Sequence, residues 1–344
     1  MNIAVICGGL SRERDVSIST GTCVARALRE RGHKVALVDL YLGNEQSREN
    51  PGAAFTDQVK DDLYAVGETE PDLDAVRAQR QGDSLLGPGV LEICKYADIA
   101  FLALHGAEGE NGKLQACLDL YDIPYTGSGY IGSALAMNKE LTKIMLRDAG
   151  INVPKGITLH KGEIAPGETE FPCVVKPCSG GSSVATNIVS HPDHLTAALE
   201  QAYECDNAVL IEEYIRGREL TVGILDGKAM PVIEIIPKEG FYDYKNKYQS
   251  GLTDEICPAP LTDVDTARVQ ELAVRAFKAL HMEAYARADF LMDERSGEFY
   301  CLELNSLPGM TPTSLIPQMA AAEGMDYGQL CEKLIEVSMR KYKA

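Results

Sequence analysis

The first hydrophobic blocks of the chain are short, wholly apolar and separated by polar runs of helical spacing. "NIAVICGG" reads as a buried strand closed by Gly8 and Gly9. "DVSISTGTCVARALRERG" has the apolar period of a helix with a glycine stop at Gly32, and "KVALVDLY" is a second buried strand. Strand, helix, strand in this order predicts a parallel, doubly wound sheet. A polar, acidic stretch over 43–89 interrupts it and reads as an insertion with one short helix near Asp72–Arg80. "DIAFLAL" restores the strand pattern and ends at "HGAEGENG". His105 and the Gly8–Gly9 pair therefore fall at the carboxyl edge of the strands, where such sheets bind ligands.

After "YTGSGYIGS" the pattern turns helical over "ALAMNKELTKIMLRDAG", read as one helix stopped by Gly150. From Pro172 the chain reads as strand "CVVKP", a Gly/Ser loop, a strand, a helix starting near Pro192 and strand "AVLIEEYI". A strand pair follows around "LTVGIL" and "AMPVIEII", then the polar, aromatic loop "PKEGFYDYKNKYQSG". A long helix opens at "TDVD", a loose capping box, with Val269, Leu272, Ala273, Ala276, Phe277 and Leu280 on one face. "ARADFLMDERSGEFYCLELN" then reads as a hairpin around "DERSGE".

Composition narrows the field. With 45% apolar residues the chain can build an ordinary core, and 344 residues allow two or three domains. A net charge of −18 makes it a poor binder of nucleic acid or anionic membrane. The ten cysteines form no C-x-x-C pair and read as buried, reduced thiols. No charged leader precedes a removable apolar stretch, and no apolar run reaches the roughly 18 residues of a membrane span. A cytoplasmic protein is expected.

Three stretches carry candidate chemistry. "GSGYIG" matches a dinucleotide fingerprint, but that fingerprint belongs after a first strand, and here it lies near residue 130, between domains. It reads better as a hinge before a helix. "CSGGSSVAT" is a phosphate cradle: Gly180 and Gly181 let backbone N–H groups converge, Ser182 and Ser183 add hydroxyls, and Lys176 adds a cation. The hairpin is the strongest signal. Folding it about Ser296 sets Asp289 opposite Glu303 and lines Arg287, Asp289, Glu303 and Asn305 along one face, while Phe290, Leu302 and Leu304 turn to the other. Two carboxylates and an amide oxygen are hard ligands. We expect Asp289, Glu303 and Asn305 to hold Mg²⁺ on the phosphates of ATP sandwiched between the two units.

Taken in order, "GGLSRERDVS", "LHGAEGENGKLQ", "IPYTGSGYIGSALAMNKELTK", "VVKPCSGGSSV", "GFYDYKNKY", "ARADF" and "LELNSLPGMTPTSL" resemble the D-alanine–D-alanine ligases of the ATP-grasp superfamily. The resemblance spans nearly the whole chain. It implies an α/β, three-domain ATP-grasp fold with the doubly wound parallel sheet as a pre-ATP-grasp domain. The domains would be residues 1–127, 128–213 and 214–344, with a lid over 238–251. It implies ADP-forming ligation of two D-alanines through an acyl phosphate, with ATP and two Mg²⁺ (or Mn²⁺), in a homodimer that serves peptidoglycan synthesis.

By position in these motifs, the resemblance implies the following roles. Glu13 would hold the ammonium of the first D-alanine, joined by Ser182 and Tyr248 in a hydrogen-bonded set that closes the lid, with His105 beside that substrate. Lys139, Lys176 and Lys247 would contact phosphates. Glu212, Ile215 and Glu219 would hold adenine and ribose, with Glu213 and Tyr214 in the same strand. Arg287 and the N–H of Gly309 would stabilise the tetrahedral oxyanion. Ser314 would hold the carboxylate of the second D-alanine and Leu315 would face its methyl. The sequence departs from the family pattern at Asn111, Asn138, Gly180, Ala185 and Ser306. The competing readings are a D-Ala–D-Ser or D-Ala–D-lactate ligase of the same family, a nicotinamide oxidoreductase using "GSGYIG", and a non-catalytic binding protein. Tyr248 and Leu315 favour D-alanine twice, and the complete Asp289–Glu303–Asn305 set favours an enzyme.

Overall fold

In the computed structural model, residues 1–59, 63–64, 66–67, 71–80, 82, 84–163, 169–181, 185–238 and 253–343 are described. Strands β1 (Asn2–Cys7), β2 (Lys34–Asp39) and β3 (Ile99–Leu102) form a parallel sheet in the order β2-β1-β3. Ile3 pairs with both Val35 and Ile99, so β1 is central and its apolar run is buried on both faces, as its sequence predicts. Helix α1 (Arg14–Glu30) returns the chain from β1 to β2, and Gly32 ends it with φ +83°. Within the inserted stretch, α2 (Leu73–Ala78) is capped by the Asp72 carboxylate. Helices α3 (Val90–Tyr96), α4 (Ala107–Glu110) and α5 (Lys113–Leu120) complete this part.

The expected single helix before Gly150 is two helices, α6 (Tyr130–Met137) and α7 (Lys139–Asp148). Asn138 is the reason. It is extended at ψ 104°, and its side chain accepts from the N–H of Leu141, so it ends one helix and caps the next. Four strands then form an antiparallel sheet in the order β4-β7-β5-β6: β4 (Gly156–His160), β5 (Cys173–Pro177), β6 (Asn187–Val189) and β7 (Ala208–Glu213). The edge strand β4 was not anticipated. Helix α8 (Leu195–Tyr203) covers this sheet, after a short turn of helix at Pro192–His194.

A five-stranded antiparallel sheet follows, in the order β10-β9-β8-β11-β12. Its strands are β8 (Gly217–Leu225), β9 (Lys228–Pro237), β10 (Thr253–Ile256), β11 (Tyr285–Asp293) and β12 (Phe299–Asn305). β10, which pairs with β9, was not anticipated either. Helix α9 (Asp263–Ala279), capped by Thr262, lays its predicted apolar face on one side of the sheet. Leu146, Ile151 and Val153, from α7 and the segment after it, join that core. On the other side α10 (Leu315–Ala322) packs against β8 and β9, and α11 (Tyr327–Met339) lies between it and the N-terminal part, against α1 and β3, so that the two cores merge. With both faces covered, the sheet is a fixed platform for the side chains at its open end. Six cysteines are buried and none is paired, but Cys205, in the loop after α8, is exposed, and Cys23, Cys117 and Cys257 are half-buried.

Candidate active site

A cavity of about 900 Å³ opens between the four-stranded and five-stranded sheets. Leu10–Glu13 and Leu73 close it from the N-terminal part, Leu73 being the one described residue of the inserted stretch that lines it. Lys139, Lys176, Glu212, Glu213, Tyr214, Ile215, Glu219, Asp289 and Glu303 all line it.

The hairpin is as the alternation predicts: Asp289 pairs with Glu303 and Arg287 with Asn305. A bulge follows, since Phe290 pairs with Cys301. Leu302 is thereby left over and lines the cavity rather than turning to the far side, where Phe290 and Leu304 are buried. Asp289 is 7% exposed, and its carboxylate accepts from Arg287 Nε at 2.9 Å and Nη2 at 2.8 Å, Thr221 Oγ1 at 2.6 Å and Asn305 Nδ2 at 3.1 Å. Four donors account for why a carboxylate is tolerated inside a strand. Glu303 is more open, and Lys139 Nζ lies 3.5 Å from it.

The break at Asn138 gives Lys139 its place. Its backbone N–H donates to the Cys178 carbonyl, and its Nζ donates to the Gly180 carbonyl at 2.7 Å, fixing the phosphate loop. Ser179 N–H is held by the Asp206 carboxylate at 2.7 Å. A Cβ on Gly181 would stand 3.2 Å from Glu13 Oε2 and one on Gly106 3.1 Å from it. The glycines of the middle unit and of the first unit thus close around the Glu13 carboxylate.

Lys176 on β5 and Glu212 on β7 are diagonal neighbours, Lys176 pairing with Leu210 and Glu212 with Val174, and their side chains form an ion pair. A second lysine, Lys143 from α7, reaches the other oxygen of Glu212 at 2.6 Å. Burial alone would push Glu212 up, but the charges of Lys176 and then Lys143 hold it below the usual carboxylate range. Burial likewise opposes the charge on Lys176, and Glu212 outweighs it, so that lysine is raised. The Glu213 side chain accepts from the N–H of Lys155 at 2.8 Å. Glu110, at the end of α4, is pushed up to about 8 by burial and then by the charge of Glu13.

His105 is 5% exposed. Its Nδ1 lies 3.1 Å from the Leu307 carbonyl, which can only accept, so Nδ1 carries the proton and Nε2 accepts from Thr20 Oγ1 at 2.9 Å. It bolts the N-terminal part to the loop after β12. Gly309 and Ser314 are drawn together in that loop: a Cβ on Gly309 would stand 2.9 Å from Ser314 Oγ. Leu315 opens α10, is 6% exposed within the apolar core, and is not among the residues that line this cavity. Ser182, Lys247 and Tyr248, and all but Lys238 of the lid expected over 238–251, lie outside the described residues. Lys143 and Glu110 were missed. Both stand in quoted motifs, and Lys143 is four residues from Lys139 on one helix face, a spacing that could have found it.

Asp289, Glu303 and Asn305 fit a hard divalent cation. Among the described residues no group of three or more His, Cys, Asp or Glu side chains forms a closed metal cage. Two carboxylates and an amide suit an ion that keeps waters and takes phosphate oxygens.

A parallel sheet leading into two antiparallel sheets, with Lys176 on one and Asp289 and Glu303 on the other across a cavity, defines an ATP-grasp enzyme of the ligase class. The family model described as D-ala D-ala ligase N-terminus matches residues 2–128, and D-ala D-ala ligase C-terminus matches residues 145–336. The D-alanine–D-alanine ligase of Lacticaseibacillus casei is 40% identical over 348 residues, covering 99% of this chain and 97% of its own length. That of Pediococcus pentosaceus is 41% identical, covering 99% of both. The crystal structure of the Bacillus anthracis ligase complexed with ATP superposes with a TM-score of 0.76 at 31% identity, covering 100% of this chain and 98% of the other. The chain belongs to the D-alanine–D-alanine ligase family.

Proposed function

We propose that the chain joins two D-alanines into D-alanyl-D-alanine, forming ADP and phosphate, to supply peptidoglycan synthesis in the cytoplasm. The observation that carries this is the cavity that gathers Lys139, Lys176, Asp289, Glu303 and Glu13 at the junction of all three sheets. The carboxylate of the first D-alanine attacks the γ-phosphate and forms an acyl phosphate. The amine of the second then attacks the acyl carbon, and phosphate leaves. Anion attacks anion in the first step, so positive charge must surround the phosphate. Lys139 and Lys176 supply part of it, and Lys247 in the lid adds to it. Mg²⁺ or Mn²⁺ held by Asp289, Glu303 and Asn305 would neutralise phosphate charge when bound.

Glu13 takes the ammonium of the first D-alanine, with Ser182 and Tyr248 closing the set. Glu212, Glu213, Tyr214, Ile215 and Glu219 form the nucleotide wall. Arg287, already aimed along the sheet face at Asp289, and the Gly309 N–H meet the oxyanion of the tetrahedral intermediate. Ser314 and Leu315 receive the second D-alanine. An acyl phosphate hydrolyses readily, so the lid excludes water while it exists. The domains follow the boundaries 1–127, 128–213 and 214–344. A homodimer would cover exposed apolar side chains such as Leu120 and Tyr121 at the end of α5 and Tyr130 and Ile131 at the start of α6. A coupled ADP-release assay across D-Ala, D-Ser, D-lactate and L-Ala tests the reading. D-Ala alone in both positions should give the highest kcat/KM, and absence of D-Ala-dependent ADP release would refute it.

A further inference from the structure

The buried triad behind the nucleotide cavity has a member that the reaction as described does not use. Lys143 is 3% exposed, and it does not line the cavity, whereas Lys176 and Glu212 do. Its Nζ lies 2.6 Å from Glu212 Oε2, while Lys176 takes Oε1. We propose that Lys143 is a positioning residue for phosphate binding: it neutralises and orients Glu212 from behind, so that Lys176 presents a net positive charge to the ATP phosphates.

Lys176 and Glu212 alone would form a neutral pair. A neutral pair attracts a polyphosphate weakly, because the Glu212 carboxylate repels it nearly as much as Lys176 attracts it. With Lys143 on the second oxygen, two cations share one anion and the triad keeps one positive charge. Lys143 reaches no ligand, so its whole effect passes through Glu212. Burial of all three groups keeps these interactions unscreened by salt. The triad also joins α7 to β5 and β7, which fixes the direction in which Lys176 points.

This inference deepens the ligase reading and rests on it. The test uses the full chain at one fixed Mg²⁺ concentration, with ADP titrated by calorimetry and adenosine measured by displacement. Lys143→Met should weaken ADP at least about tenfold while adenosine, which has no phosphate, moves by less than about twofold. Adding Glu212→Gln to Lys143→Met removes the uncompensated carboxylate; adenosine reports whatever Glu212 itself gives to the nucleoside, so the quantity restored is the ratio of ADP to adenosine affinity, to within about threefold of wild type. A residue that merely packs would weaken ADP and adenosine together, and the second substitution would not restore them. Should Lys143→Met fail to fold, Lys143→Gln keeps a donor to Glu212 without the charge and carries the same expectation. Unchanged ADP affinity, equal loss of adenosine, or no recovery in the double variant overturns the proposal. Failure of the wild type to bind ADP at all would instead overturn the ligase reading.

Discussion

His105→Phe asks what holds the N-terminal part against the loop that follows the carboxylate hairpin. The ring is 5% exposed and both nitrogens are engaged, across 85 residues to Thr20 and 202 residues to Leu307. Phenylalanine keeps the apolar volume but leaves the Thr20 hydroxyl and the Leu307 carbonyl without these partners. Each buried orphan costs about 1–3 kcal/mol. Thr20 lies within α1 and its hydroxyl can turn back to a carbonyl of its own helix, so the lower half of the sum applies, about 2–4 kcal/mol. At about 3 kcal/mol per molar urea, this is a fall of roughly 1 M in the unfolding midpoint, with an unchanged slope.

The chain has no tryptophan, so far-UV circular dichroism is the appropriate probe. Thr20→Val in the same chain removes one orphan and should regain about 1 kcal/mol. The pH dependence has a definite sign. Burial lowers His105 below its ordinary value, so the folded form is neutral. Its contribution is present above about pH 6.5, the unfolded value, and is lost as pH falls through the lower folded value. The gap between wild type and His105→Phe should therefore narrow in acid. A midpoint shift below about 0.3 M at pH 7.5, or a gap that widens in acid, refutes the bolt.

Glu303→Gln should lower kcat at least about tenfold with little change in melting temperature, because it removes metal-directed charge from a partly open side chain; a near-normal rate at saturating Mg²⁺ would sink the assignment. Leu315→Gln should raise the D-Ser over D-Ala ratio of kcat/KM at least about tenfold, since the new amide can pair with the serine hydroxyl and is orphaned beside a methyl. An unchanged ratio removes Leu315 from the second-substrate pocket. Gln is preferred to Arg because the position is 6% exposed and a guanidinium would have to be buried. Lys341 is lowered to about 8 by burial, so its contribution is present above the unfolded value near 10.5 and is lost as pH falls through 8. Lys341→Met should remove that part of the pH dependence of melting between pH 8 and 10.5, and an unaltered profile would contradict it.

The hairpin was legible because two signals agreed: a period of two and a turn of fixed length set Asp289 opposite Glu303 with no long-range information. The α9 face was legible from its 3.6-residue apolar period, and the central strand β1 from an unbroken apolar run closed by glycines. Asn138 was misread because an apolar period ran through it on both sides, while the capping signal was one residue. β4 and β10 are edge strands whose register depends on partners far along the chain. The bulge that turns Leu302 into the cavity shifts the period by one residue, which alternation cannot foresee. The Lys143–Glu212–Lys176 triad joins three elements and needs the fold to be seen. The roles of Glu13 and His105 came from family resemblance, not from any local pattern.

A chain of net charge −18 that binds a polyphosphate must concentrate positive charge and keep it from being cancelled. Around this cavity Lys139, Lys143, Lys176 and Arg287 are each paired with a carboxylate drawn from Glu212, Glu303 and Asp289. The pairing lets four largely buried cations exist without large desolvation costs. It also limits what they offer, because Glu13, Glu213 and Glu219 line the same cavity and, within the paired set, four cations against three carboxylates leave one positive charge. That is too little to bring a substrate carboxylate onto a phosphoryl group, where two anions must meet. On the ligase reading proposed above, the remainder would arrive with the ligands and the lid, as divalent cation on the Asp289–Glu303 face and as Lys247. A site arranged this way has no large positive excess of its own. On that reading it would become strongly cationic at the γ-phosphate only when nucleotide, metal and lid are assembled together.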